Sequence, residues 1–136
     1  MALEGRPTVT DGDTIKLGGV AIRIHGIDAP ELKQRCQVDG RHYRCGVVAR
    51  QALMAKLGSR PVQCLGRGTD KYHRLIATCN VDGVDIGYWM VSQGYALAYR
   101  KYSLEYVPAE DAARTARRGL WMGKFEFPWV WRKIKR

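Results

Sequence analysis

The chain is 136 residues long, carries a formal net charge of +10, and 46% of its residues are hydrophobic. That hydrophobic share is ordinary for a globular chain and excludes disorder, the length suits one core and not two, and no run approaches the ~18 apolar residues of a membrane span. So much positive charge on a small chain favours polyanionic partners, nucleic acid ahead of acidic membrane or polysaccharide surfaces, although charge alone also serves solubility.

The first residues, "MALEGR", are too short and too charged for a signal segment. Met1 to Glu4 is equally compatible with a cloning remnant. From Arg6 to Ile27 the pattern is strand-like: "TIKL", the Gly18-Gly19 pair and "VAIRIHGI" predict two alternating segments joined by a tight turn. Ile22 and Ile24 then share one face, while Arg23 and His25 lie on the other with Ala21, solvated or aimed into a groove. Residues 28–44 read as loop. "CGVVARQALMAKLGS" spaces Val47, Val48, Leu53, Met54 and Leu57 near a helical period, and Gly58 supplies the stop.

Arg60–Cys64 and Arg74–Val81 predict a second strand pair around the turn-like "GRGTDKYH". "VDG" at 81–83 is a further turn, "VDIGYWMVSQG" a short helix ended by Gly94, and "YALAYRKYS" extended or irregular. "VPAEDAARTARRG" has Pro108 and acids at its start, arginines and Gly119 at its end, and predicts a helix. Residues 124–136 form a basic aromatic tail. Its Lys133, Lys135 and Arg136 are expected to be solvated, or else to extend phosphate contacts, while Trp121, Trp129 and Trp131 are expected to pack the last helix onto the barrel, with stacking on bases the alternative. This order suits a mixed α+β, mainly β chain: a five-stranded Greek-key barrel of the oligonucleotide-binding (OB) type with about three helices, in a single domain over 1–136.

Cys36, Cys45, Cys64 and Cys79 contain no C-x-x-C pair, so a zinc ribbon is a poor reading. His25 and His42 likewise have no partner at metal spacing and read as structural. A hairpin turning at Lys71–Tyr72 sets Cys64 nearly opposite Cys79, which leaves Cys36 for Cys45. The expectation is two disulfides and an oxidising compartment, periplasmic or secreted, with a leader removed. Four free thiols in a cytoplasmic protein are the alternative.

Four carboxylates, Asp11, Asp13, Asp28 and Glu31, bracket the first hairpin. Antiparallel pairing brings Asp13 and Asp28 to the same end, where like charges repel unless a cation lies between them. Hard cations such as Ca²⁺ take such oxygen ligands, but an EF-hand loop begun at Asp11 fails because Ile15 and Ile22 fall on ligand positions. Singly, each acid reads as a turn or loop residue. Together with Arg23 they are the set that phosphodiester hydrolysis needs: carboxylates for a cation, one more to take a proton from water, and a guanidinium for the phosphorus centre.

These motifs resemble the staphylococcal, thermonuclease-type nucleases. The resemblance lies in "DGDT" at 11–14, Arg23 five residues before "DAPE" at 28–31, and "TDKYHR" at 69–74, and it continues to about Trp121. It implies an OB barrel with added helices and Ca²⁺-dependent endonuclease cleavage of DNA and RNA at the P–O5′ bond, leaving 3′-phosphates. By position, Asp13, Asp28 and the Ala29 carbonyl would bind Ca²⁺, and Glu31 would orient and activate water. Arg23 and Arg74 would hold the phosphate and stabilise the transition state. Lys71 and Tyr72 would contact a terminal phosphate, and Tyr99 and Tyr102 would line the nucleotide pocket. His73 stands where the family often has glycine, and the loop after Glu31 differs. The partners implied are DNA and RNA, acted on by a monomer with no membrane role. A non-catalytic OB module that only binds nucleic acid is the main alternative, and a Ca²⁺-dependent protein acting on acidic surface polymers is a weaker one.

Overall fold

A computed structural model describes residues 1–135; Arg136, assigned to the basic tail, lies outside the described residues. The chain opens with β1 (Ala2–Gly5), β2 (Thr8–Asp11), β3 (Thr14–Leu17), β4 (Val20–Ile24) and the short β5 (Ile27–Asp28). A small hairpin, β6 (Cys36–Val38) and β7 (Arg41–Tyr43), leads into α1 (Cys45–Leu57). Next come β8 (Val62–Thr69), β9 (Leu75–Val81), β10 (Val84–Asp85), α2 (Ile86–Ser92) and β11 (Leu97–Ala98). The chain then runs through α3 (Val107–Ala116), a single 3-10 turn (Gly119–Met122) and α4 (Pro128–Lys135).

The main sheet runs β1-β8-β9-β4-β3-β2, with β10 added on β9. All its pairings are antiparallel except β4 with β9. It curls into an OB-like half-barrel, with more strand than helix. Two-residue alternation decides what each strand contributes. In β4, Ile22 and Ile24 enter the core fully buried. The opposite face, carrying Arg23, is covered as well, so the groove alternative for that arginine holds. Leu53 of α1, Met90 of α2 and Val62 and Val81 of the sheet complete the core. Burying each such side chain contributes roughly 1.5–3 kcal/mol.

Three parts of the sequence-based reading need correction. Ala2–Gly5 is a strand, β1, paired with Val62–Leu65 of β8. Residues 28–44 are not all loop: Asp39 (φ 51°) and Gly40 (φ 75°) form a tight turn between β6 and β7. The basic aromatic tail contains a fourth helix, opened by Pro128, where about three helices were expected in all. Both disulfides are present, Cys36–Cys45 and Cys64–Cys79, the latter joining directly opposed residues of β8 and β9. No helix among the described residues is long and apolar enough to cross a membrane.

Candidate active site

The β3–β4 hairpin delivers the acids. Asp13 precedes β3, and its carbonyl accepts from the Ile24 N–H at 2.8 Å, which sets the end of β4 beside it. Asp28 ends β5, whose pairing to β11 also draws in Tyr99 just downstream. The Ala29 N–H donates to Asp13 Oδ2 at 2.8 Å, so the two acidic segments are stitched together. Gly12 makes this approach possible: a Cβ there would stand 2.8 Å from that of Ala29 and 2.9 Å from that of Ala49.

Arg23 reaches both acids, with Nη1 3.4 Å from Asp13 Oδ2 and Nη2 3.4 Å from Asp28 Oδ1. Charge-assisted bonds are usually nearer 2.8 Å, so the guanidinium is positioned by these acids but not locked to them. Arg74, just before β9, is held by Asp70, which accepts its Nε–H at 2.7 Å and its backbone N–H at 2.9 Å. Asp70 also accepts the Tyr72 N–H at 2.9 Å, closing the turn through His73, whose φ of 66° is the left-handed conformation expected at a glycine-favouring position. The guanidinium of Arg74 lies 5.5 Å from the Tyr72 ring centroid.

One polar cavity of about 220 Å³ is lined by Asp13, Arg23, Asp28, Glu31, Lys71, Tyr72, Arg74, Tyr99 and Tyr102. Every side chain singled out from the motifs therefore converges there. The cavity also takes in Asp11, noticed in sequence but given no role, and two residues that were missed, Lys101 and Arg132. A larger cavity of about 330 Å³, lined by residues such as Val38, Tyr43 and Leu120, has no charged side chain and lies apart from this chemistry.

Arg132 belongs to α4. Its Nη1 donates to Asp28 Oδ1 at 3.0 Å and to Glu31 Oε2 at 3.0 Å, and its Nη2 to Asp28 Oδ2 at 2.8 Å. A contact spanning 104 positions has no local sequence signal. The amphipathic "PWVWRKIK" was the available hint that the tail docks. Trp129, on the same helix, stacks on Tyr99 with centroids 5.5 Å apart, while Trp121 packs edge-on against Phe125. His25 pairs with Glu105 at 3.1 Å, a structural contact as expected.

The electrostatics are those of crowded acids. Burial, then the Asp13 charge, pushes the Asp11 carboxyl up to about 8. Asp13 is held below the usual carboxylate range, against its own burial, by Arg23 and by hydrogen bonds. Burial lifts Asp28 to about 6 even though two guanidiniums oppose it. Such a cluster favours the approach of a cation. The donors are hard carboxylate oxygens, the chemistry that suits Ca²⁺. Among the described residues, however, no three acids, histidines or cysteines are gathered as a metal-holding group. Both Asp28 oxygens face guanidiniums, those of Arg23 and Arg132. Asp13, Asp28 and Glu31 line one cavity and supply the hard oxygen donors such a cation takes, with Arg132 docked on two of them.

The family model "Staphylococcal nuclease homologue" matches residues 21–123. The chain is similar to "Succinoglycan biosynthesis protein ExoI" of Rhizobium meliloti (strain 1021), 36% identical over 90% of this chain and 66% of that protein. It is 34% identical to "Probable staphylococcal-like nuclease CAN4" of Oryza sativa subsp. japonica, over 85% of this chain but 22% of the rice protein. An "Uncharacterized endonuclease" of Escherichia coli O157:H7 is 30% identical, over 93% of this chain and 82% of its own length. The chain thus spans under two thirds of the first two relatives.

Proposed function

Since this chain belongs to the staphylococcal nuclease homologues, we propose that it is a Ca²⁺-dependent, sugar-non-specific endonuclease. It would act as a monomer built on one OB-like domain, hydrolysing the P–O5′ bonds of DNA and RNA to leave 3′-phosphates. The observation that carries this reading is the single cavity joining Asp13, Asp28 and Glu31 to Arg23 and Arg74. In a chain of net charge +10, such a set lies in a field that attracts the substrate backbone.

Asp13 and Asp28, with the Ala29 carbonyl, would hold the cation. Held by these residues, Ca²⁺ would supply Lewis-acid polarisation of the scissile phosphate and offset its charge. Glu31, whose side chain is 37% exposed at the cavity wall, takes a proton from the water that attacks phosphorus. The P–O5′ bond breaks, and the departing oxygen is protonated from solvent. Arg23 and Arg74 grip the non-bridging oxygens as negative charge grows on them. Because Asp70 engages Arg74 through Nε, the Nη end of that fork remains for phosphate. Lys71 and Tyr72 fit a terminal phosphate, and Tyr99 and Tyr102 offer faces to any base. The two disulfides support an oxidising, periplasmic or extracellular setting.

A second reading draws support from one observation. Arg132 neutralises Asp28 and Glu31 without a metal, as a non-catalytic nucleic-acid-binding module would need. Incubation of plasmid DNA and of total RNA with Ca²⁺ or with chelator, followed by end-group analysis, separates the two. The nuclease reading expects cleavage with Ca²⁺, none in chelator, and 3′-phosphate ends. Intact nucleic acid under both conditions, with a retained gel shift, would leave the binding module.

A further inference from the structure

Arg132 makes the best-formed ion pair in the site, yet the nuclease mechanism gives it no task. Its guanidinium meets Asp28 end-on through two parallel bonds of 3.0 and 2.8 Å, the geometry in which arginine binds carboxylate most firmly, and shares Nη1 with Glu31. With Arg23 on the other flank, the Asp28 side chain is 0% exposed. A divalent cation therefore has no path to either Asp28 oxygen while Arg132 is docked. One positive group already sits on the acids meant for another.

A second contact lies on the same helix three residues earlier. Trp129 and Arg132 share one face of α4, and the Trp129 indole stacks on Tyr99 with an interplanar angle of 24°. Phe127 stacks in turn on Trp129, with centroids 5.0 Å apart and rings nearly parallel at 3°. Tyr99 lines the cavity, so a ring available to a nucleotide base already has an aromatic partner. The approach to α4 is tethered beside the Glu31 loop: Gln34 Nε2 donates to the Glu126 carbonyl at 2.8 Å, and Gln34 Oε1 accepts from the Glu31 N–H at 3.2 Å. An eight-residue helix is marginal by itself, so α4 keeps its place through these contacts and can leave when they are replaced.

We infer that α4 is a lid that mimics the ligands of the site, with the Arg132 guanidinium standing on Asp28 and Glu31 in place of the divalent cation and Trp129 standing on Tyr99 in place of a base. This inference rests on the nuclease reading. Cation binding and docking of Arg132 exclude one another at Asp28, so each weakens the other by the same factor. Cation binding must first displace the tethered guanidinium, which lowers the apparent affinity and ties activity to high cation concentration. Substrate stacking on Tyr99 works in the same direction, because it competes with Trp129.

The test is titration of CaCl₂ into the metal-free 136-residue chain by calorimetry, for wild type, Arg132→Gln and Trp129→Ala, with amide hydrogen exchange over residues 128–135. Arg132→Gln is expected to bind Ca²⁺ about tenfold or more tightly than wild type. Trp129→Ala leaves every acid in place and still loosens the lid, so it is expected to gain affinity several-fold and carries the test if Arg132→Gln folds poorly. In wild type, saturating Ca²⁺ is expected to speed exchange in α4. Equal or weaker Ca²⁺ affinity in both variants, or α4 amides equally or better protected with Ca²⁺, would overturn the lid. Absence of Ca²⁺ binding in all three proteins, together with absence of cleavage, would overturn the nuclease reading and the lid with it. Ca²⁺-dependent cleavage with unchanged affinities would overturn the lid alone.

Discussion

Asp70 is the sharpest structural lever on Arg74. Its side chain, 5% exposed, accepts from the backbone N–H groups of Tyr72 and Arg74, both at 2.9 Å, and from Arg74 Nε at 2.7 Å. Asp70→Ala removes all three bonds. The two backbone bonds contribute about 1 kcal/mol each, and the charge-assisted bond about 1 kcal/mol more after solvent screening of a guanidinium that is 31% exposed. The variant should therefore be less stable by about 2–4 kcal/mol in urea unfolding near neutral pH. Arg74 would also lose the partner that aims it, and kcat on DNA should fall about 10²-fold with KM little changed. Hydrogen bonds from Arg74 and Tyr72 hold the Asp70 carboxyl below its ordinary value, against its own burial. A depressed carboxylate stabilises the fold above its unfolded pKa of about 3.9, and that contribution is lost as pH falls through the folded value. The stability gap between wild type and Asp70→Ala should accordingly narrow below about pH 4. Unchanged kcat in folded variant would refute the aiming role. A gap as wide in acid as at neutral pH would refute the charge argument.

Two further substitutions probe the scaffold around the acids. Gly46 opens α1 against the Glu31 backbone, and an added Cβ would collide with the Glu31 carbonyl oxygen, so Gly46→Ala should cost about 1–3 kcal/mol and lower kcat, read by unfolding and single-turnover cleavage. Removing either disulfide should destabilise by about 3 kcal/mol on the loop-closure model, for sequence separations of 15 (Cys64–Cys79) and 9 (Cys36–Cys45). Activity of the folded fraction should fall only for Cys36/Cys45→Ser, because Cys36 stands two residues from the Gln34 amide that holds the Glu31 N–H.

The legible parts of this chain were those encoded locally. "TIKL-GG-VAIRI" carries its own alternation and turn, and the spacing of Cys64 and Cys79 about one hairpin tip fixed their register, as the Cys64–Cys79 pairing in β8–β9 bears out. The family resemblance rested on motifs whose side chains meet in one cavity. What escaped depends on distant partners. "ALEG" has too few residues to show a period and becomes a strand only because β8 offers it an edge. "QVDGRHY" did contain a hairpin signal, Asp39-Gly40, but its polar flanks masked the alternation. Arg132 had no local reason to be noticed, since a basic residue in a basic tail is most simply solvated. Its place in the site follows from α4 docking beside Asp28, Glu31 and Tyr99.

On the proposed mechanism, Glu31 works on water beside a cation held by Asp13 and Asp28. Single-turnover cleavage of a labelled oligonucleotide by wild type and Glu31→Gln, at saturating Ca²⁺ and with binding measured in parallel, tests it most directly. Glu31→Gln should lose at least about 10²-fold in rate while keeping oligonucleotide affinity within a few-fold of wild type. Equal cleavage rates in the two proteins would contradict it.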